Sequence, residues 1–126
     1  APVRYSGPSP LSEPETQCLS KFTRDNNFDL VIAYHSQGKE IYWKFLDAEP
    51  PRAREIGEIF SNATGYPLCD TKPEDSYAGY KDWFIQDFSK PGYTFEVGLG
   101  KNPLPVSQFE IIYANNEEAL LLGSLI

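Results

Sequence analysis

One stretch narrows the folds open to this chain more than any other: Leu30-Val31-Ile32-Ala33-Tyr34-His35-Ser36-Gln37-Gly38, an apolar run that breaks off at a polar cluster. Leu30 to Ala33 has the length and β-branched enrichment of a buried strand, and Gly38 marks the turn after it. His35, the only histidine of the chain, therefore sits at a strand's C-terminal end, where crevices of open α/β sheets form. On spacing alone, a histidine in such a place is more often a hydrogen-bonded structural residue than a ligand. A second stretch, Tyr93-Thr94-Phe95-Glu96-Val97-Gly98, shifts that balance, because there a carboxylate interrupts another strand-like run just before a glycine. A histidine that can hold a metal and a glutamate that can activate water beside it are the minimum for metal-assisted hydrolysis.

The pattern between these stretches predicts a layered α/β domain. Ala1 to Pro10, rich in proline, glycine and serine, reads as an extended entry loop. Ser12 is a fair N-cap for a helix to about Arg24, with Glu13 and Glu15 in its first turn and Leu19 and Phe22 as its apolar face. A strand from Phe28 to His35 follows, then a second centred on Ile41-Tyr42-Trp43. Ala53, Ile56, Ile59 and Phe60 recur at helical spacing between Pro51 and Thr64, and Gly65 is a natural stop. Tyr66 to Cys69 reads as a short strand and Asp70 to Ser76 as a loop. Ala78 to Phe88 reads as a helix presenting Trp83, Phe84 and Phe88. After the Glu96 strand, Gly98 to Pro103 is a loop without the motif of a phosphate cradle. Val106 to Leu122 is the last helix, with Phe109, Ile112, Ala119 and Leu120 apolar and Glu117 and Glu118 solvated.

At 126 residues the chain fits one domain with a real core. Its net charge of -7 gives a nucleic acid or an anionic membrane surface no basic patch to bind, and no window resembles a membrane span. Cys18 and Cys69 are too few for a disulfide framework and lack metal-ligand spacing, so they read as buried free thiols, with a single bridge the alternative. The sequence leaves the compartment open between a bacterial cytoplasm and the cell wall or extracellular space.

Three segments in order resemble the zinc carboxypeptidase family: Gly7-Pro8-Ser9-Pro10-Leu11-Ser12-Glu13-Pro14-Glu15-Thr16 looks like a helix opening of those enzymes, Tyr34-His35-Ser36-Gln37-Gly38 like their third zinc ligand, and Tyr93 to Val97 like the strand bearing their catalytic glutamate. Within the family, the similarity is strongest to bacterial γ-D-glutamyl-diamino-acid endopeptidases that trim peptidoglycan peptides. The resemblance implies a three-layer α/β/α fold with a mixed sheet, the C-terminal half of the carboxypeptidase domain, over residues 1–126. It implies zinc as cofactor, His35 as a metal ligand, Glu96 as general base, and a peptide or peptidoglycan peptide as substrate. It also implies a sheet order with the His35 strand outermost, then the Glu96 strand, then the two short strands. Substrate specificity would fall to Lys81, before Asp82-Trp83, and to Thr94; an ammonium at the base of a side-chain pocket favours an acidic or diaminopimelate side chain. The alternative for Lys81 is a solvated helix lysine. Tyr77 lies where the family carries a tyrosine that closes over substrate, on a loop that is shorter here, and Tyr80 is a second candidate.

One histidine cannot also provide the family's His-x-x-Glu ligands, so the resemblance covers the half of the domain that follows them. The expectation is a chain that is inactive alone, with an exposed edge on the His35 strand that invites self-association. The rival functions are a zinc-dependent deacylase of N-acyl amino acids and a non-catalytic peptide-binding module.

Overall fold

Two apolar runs and the residues that pair with them build the centre of the molecule. The computed structural model describes residues 7–77 and 79–126, the side chain of Asp75 excepted. The expected entry loop lies outside the described residues as far as position 6, and the expected helix start at Ala78 lies outside them too. Four strands are formed: β1 (Val31–His35), β2 (Glu40–Tyr42), β3 (Leu68–Cys69) and β4 (Gly92–Glu96). Their order is β1-β4-β2-β3, as the resemblance implied. β4 pairs parallel with β1 and antiparallel with β2, and β2 pairs parallel with β3, so the sheet is mixed.

Helices α1 (Pro14–Asn26), α2 (Ala53–Thr64), α3 (Tyr80–Phe88) and α4 (Phe109–Gly123) cover the sheet. Ile41, Tyr93 and Phe95 from the strands meet Ala53, Ile56 and Phe60 of α2 and Ala119 of α4 in the principal core. Phe60 stands edge-on to Tyr93 and Phe95, at centroid distances of 5.1 and 5.5 Å. The Tyr93 hydroxyl, carried into this core, donates to the Ala53 carbonyl at 2.6 Å, which satisfies a polar group that would otherwise be costly to bury. Gly65 closes α2 in the left-handed conformation at φ 72°, as its position predicted. α3 packs on the opposite face against β1 and β4. α1 is tied to α3 by a 2.8 Å hydrogen bond between Thr23 and Tyr80 and a 2.8 Å ion pair between Arg24 and Asp87.

Several local expectations are corrected. Ser12 is not the cap of α1: Pro14 opens the helix, Glu13 stands at the cap position without a side-chain cap bond, and the Ser12 hydroxyl donates to the Glu13 carboxylate. α1 buries Ser20 and Thr23, while Leu19 and Phe22 are 44% and 56% exposed. The last helix begins as a 3-10 turn, Val106–Gln108, and α4 buries Asn116 and Ala119 while Phe109 and Leu120 face outward. That helix is apolar almost all round, so periodicity alone picks no single inner face. Cys18 is exposed, Cys69 is half-buried, and both are free thiols.

Candidate active site

β1 and β4 run parallel in a register that sets His35 directly beside Glu96, and the antiparallel pairing of β2 places Glu40 on the other side of Glu96. Residues paired across neighbouring strands share a face of the pleat. His35, Glu96 and Glu40 therefore form one row, and Ala33, Thr94 and Tyr42 form the next row on the same face. Cys69 of β3 pairs with Tyr42 and extends that row. A cavity of about 640 Å³ opens over this face, lined by His35, Glu40, Tyr42, Cys69, Thr94 and Glu96 from the sheet and by Asp70, Thr71, Lys72, Gly79, Lys81 and Asp82 from the segments above it.

The polar cluster after β1 is held by the loop after β4. Val97 N–H donates to the His35 carbonyl at 2.9 Å, and Gly38 N–H donates to the Gly98 carbonyl at 3.0 Å. Asn102 clamps Ser36 twice, its amide donating to the Ser36 carbonyl at 2.8 Å and its side-chain oxygen accepting from the Ser36 hydroxyl at 3.0 Å. The Ser36-Gln37 and Asn102-Pro103 peptide bonds within this clamp are cis. Gly98, at φ 73°, is packed so closely that a Cβ would lie 2.5 Å from Leu104 Cδ1. The loop thus fixes the backbone that carries His35 and Glu96 while leaving the imidazole exposed.

Burial at the strand end pushes the Glu96 carboxyl above the usual range; His35 pulls it back down and Glu40 pushes it up, leaving a net rise. Such a carboxylate is a better proton acceptor than an exposed one. The Glu40 carboxylate accepts from the Tyr42 hydroxyl at 2.8 Å, and burial, ahead of that bond, raises the Tyr42 phenol. Elsewhere in the lining Lys81 is 2% exposed, its ammonium donating to the Lys44 carbonyl at 2.7 Å and to the Asp82 carboxylate. Burial pulls the Lys81 ammonium below the usual lysine range despite the opposing Asp82.

The five residues singled out in the sequence thus fall into two groups. His35, Glu96, Thr94 and Lys81 line one cavity, and Lys81 is no solvated helix lysine. Tyr77 is 72% exposed, stands edge-on to Phe45 at 5.4 Å and is absent from the described lining. Tyr80, the second candidate, faces α1 through its bond to Thr23. Glu40, Tyr42, Thr71 and Asp82 were not anticipated. For Glu40 the available signal was its alternation with Tyr42 in a strand, which sends both to one face.

Zinc tests this residue set directly. A catalytic zinc takes three protein ligands and a water, and no group of three or more His, Cys, Asp or Glu side chains among the described residues could hold a metal ion. His35 has the chemistry of one ligand, and the set is incomplete within these residues.

The family described as zinc carboxypeptidase matches residues 2–119. The chain belongs to the zinc carboxypeptidase family. It is 48% identical over 119 residues to gamma-D-glutamyl-L-diamino acid endopeptidase 1 of Lysinibacillus sphaericus, covering 94% of this chain and 29% of that protein. An uncharacterized protein of Bacillus subtilis strain 168, YqgT, is 41% identical over 109 residues, covering 86% of this chain and 29% of that one. The chain therefore spans under a third of the length of these two relatives. Crystal structures of thrombin activatable fibrinolysis inhibitor and of carboxypeptidase A from Helicoverpa armigera superpose with TM-scores of 0.72 and 0.71. At 23% and 20% identity they cover 97% and 95% of this chain and 35% of each solved chain, and they show the shared α/β fold.

Proposed function

We propose that the protein carrying this chain is a zinc-dependent peptidase that hydrolyses the amide bond before a diaminopimelate-type residue in peptidoglycan peptides. One observation carries the reading: in a chain of the zinc carboxypeptidase family, His35 and Glu96 end adjacent parallel strands in register and open on the same cavity. Glu96 is the general base, taking a proton from the attacking water and passing it to the leaving amine, a role suited to a half-buried carboxyl held above its usual range. His35 is one zinc ligand, the other two coming from outside these residues; zinc in such a site supplies Lewis-acid polarisation of the scissile carbonyl. Thr94 and Lys81 bound the substrate's side-chain pocket. The name of the Lysinibacillus relative supports the substrate class.

The test is release of diaminopimelate from a γ-D-glutamyl-diaminopimelate peptide by the native gene product. Turnover abolished by a chelator and restored by zinc is expected; turnover indifferent to chelation refutes the reading. The 126 residues by themselves are proposed to be inactive, and peptidase activity that tracks with the purified chain through removal of contaminating protease would overturn that.

The outer edge of β1 is also proposed as a pairing edge, since β1 has a strand neighbour on one side only among the described residues. Light scattering of the isolated chain should show concentration-dependent dimers; a monomer at millimolar concentration contradicts this.

A further inference from the structure

His35 is the last residue of β1, and β1 has a strand neighbour on one side only among the described residues. From that side the Val97 N–H holds the His35 carbonyl, and further on the Gly98 carbonyl holds the Gly38 N–H. Ser36 and Gln37 lie between those two bonds, and among the described residues a single side chain, Asn102, bonds to them. Its Nδ2 donates to the Ser36 carbonyl at 2.8 Å, and its Oδ1 accepts from the Ser36 hydroxyl at 3.0 Å. That reciprocal pair needs a donor and an acceptor on one planar group, which a carboxamide has and a carboxylate has not. The two residues are 66 positions apart in sequence, so the bracket is a tertiary contact and no local turn preference produces it.

Asn102 itself stands on a fixed base. Gln108, at the cap position of α4, makes the same kind of bracket on Leu99: the Leu99 N–H donates to Gln108 Oε1 at 3.1 Å, and Gln108 Nε2 donates to the Leu99 carbonyl at 2.7 Å. One carboxamide thus ties the loop after β4 to α4, and another ties that loop to the exit of β1. α4 enters the principal core through Ala119, so a continuous set of contacts runs from the core to the residue after His35. Both brackets are exposed, and a neutral hydrogen bond adds little net stability; fixed geometry is the larger consequence. A functional side chain must hold its place to within about 0.5 Å. We infer that Asn102 is a positioning residue of the hydrolytic site, fixing through Ser36 the backbone from which the His35 imidazole projects. Asn102 is not among the described residues that line the cavity, so it acts through Ser36 and not by touching substrate. The inference rests on the zinc peptidase reading proposed above.

The test compares the native gene product with Asn102→Ala, Asn102→Asp and Ser36→Ala, measuring the zinc dissociation constant, kcat, KM and the thermal unfolding midpoint of each. Asn102→Ala should weaken zinc binding and lower kcat by about tenfold each, the lower end of the range for groups that orient a metal ligand. Its KM and unfolding midpoint should stay near the parent's. Asn102→Asp keeps the size and loses the donor, and it should restore neither zinc affinity nor kcat. Ser36→Ala deletes one bond of the two, so it should fall between the parent and Asn102→Ala and add nothing when combined with it. Parent zinc affinity and kcat in Asn102→Ala or Asn102→Asp overturn the inference. So does a loss of kcat that tracks a lowered midpoint while the folded fraction binds zinc as tightly as the parent. Should the Asn102 variants fail to fold, Ser36→Ala decides, with parent values again overturning the inference. A native gene product that holds no zinc refutes the peptidase reading and this inference together, whereas one that holds zinc and turns over, with indifferent variants, refutes this inference alone.

Discussion

Replacing Lys81 with methionine keeps the length and apolar stem of the side chain and removes only its ammonium. Asp82, 4% exposed, would be left without a counter-charge, and the Lys44 carbonyl would lose the donor that now stands 2.7 Å away. Both members of the pair are under a tenth exposed, so solvent screening does not dilute the loss as it does for a surface pair. Removing one partner of a buried pair costs about 3 to 5 kcal/mol. In urea, at a slope of about 2 kcal/mol per molar, the unfolding midpoint should fall by roughly 2 M with the slope unchanged. Lys81→Met combined with Asp82→Leu should recover at least half of the loss, since apolar replacement of a whole buried pair is often neutral. A Lys81→Met midpoint within about 0.3 M of the parent, less than 1 kcal/mol at that slope, would show the pair to be solvated and would refute this reasoning.

Two further outcomes follow from the packing. Tyr93→Phe, which removes the hydrogen bond to the Ala53 carbonyl, should cost about 0.5 to 1.5 kcal/mol near neutrality. Burial raises the Tyr93 phenol above its ordinary value, so the folded chain keeps a proton that the unfolded chain releases. The stabilisation is therefore full below the unfolded phenol's pKa and is lost as pH rises through the folded one. Alkaline unfolding should steepen above about pH 10 by about 1.4 kcal/mol per pH unit for this group, and Tyr93→Phe should flatten that limb by one proton; an unchanged limb contradicts the assignment. Gly98→Ala would force a side chain onto φ 73° and against Leu104 and Ile112. A loss of about 2 to 4 kcal/mol in thermal unfolding is expected from left-handed strain plus overpacking, and a neutral substitution would show that the loop does not clamp the strand ends.

Much of this arrangement was legible in the residues. The Val31–His35 and Gly92–Glu96 strands announced themselves because each is a short apolar run that ends at a glycine-bounded polar group, and both survive as strands with their functional residue last. The row that adds Glu40 was not legible, since it depends on β2 pairing antiparallel to β4, a contact between segments far apart in the chain. Asp82 was passed over for a different reason. Neighbours at i and i+1 on a helix do not ordinarily face one another, yet in the opening turn of α3 both side chains turn into the cavity and pair. The face of α1 was misassigned where apolar residues outnumber the positions that the neighbouring layers can cover, as with Leu19 and Phe22.

The central claim is that His35 and Glu96 are two parts of one hydrolytic site with separable roles. Zinc content and turnover of the native gene product, measured side by side for the parent, His35→Ala and Glu96→Gln, test it most directly. The account predicts that His35→Ala loses zinc and activity together, whereas Glu96→Gln retains zinc and loses turnover by about 10²-fold or more, the usual weight of a general base. Glu96→Gln turning over within tenfold of the parent, or His35→Ala holding zinc as tightly as the parent, would contradict it.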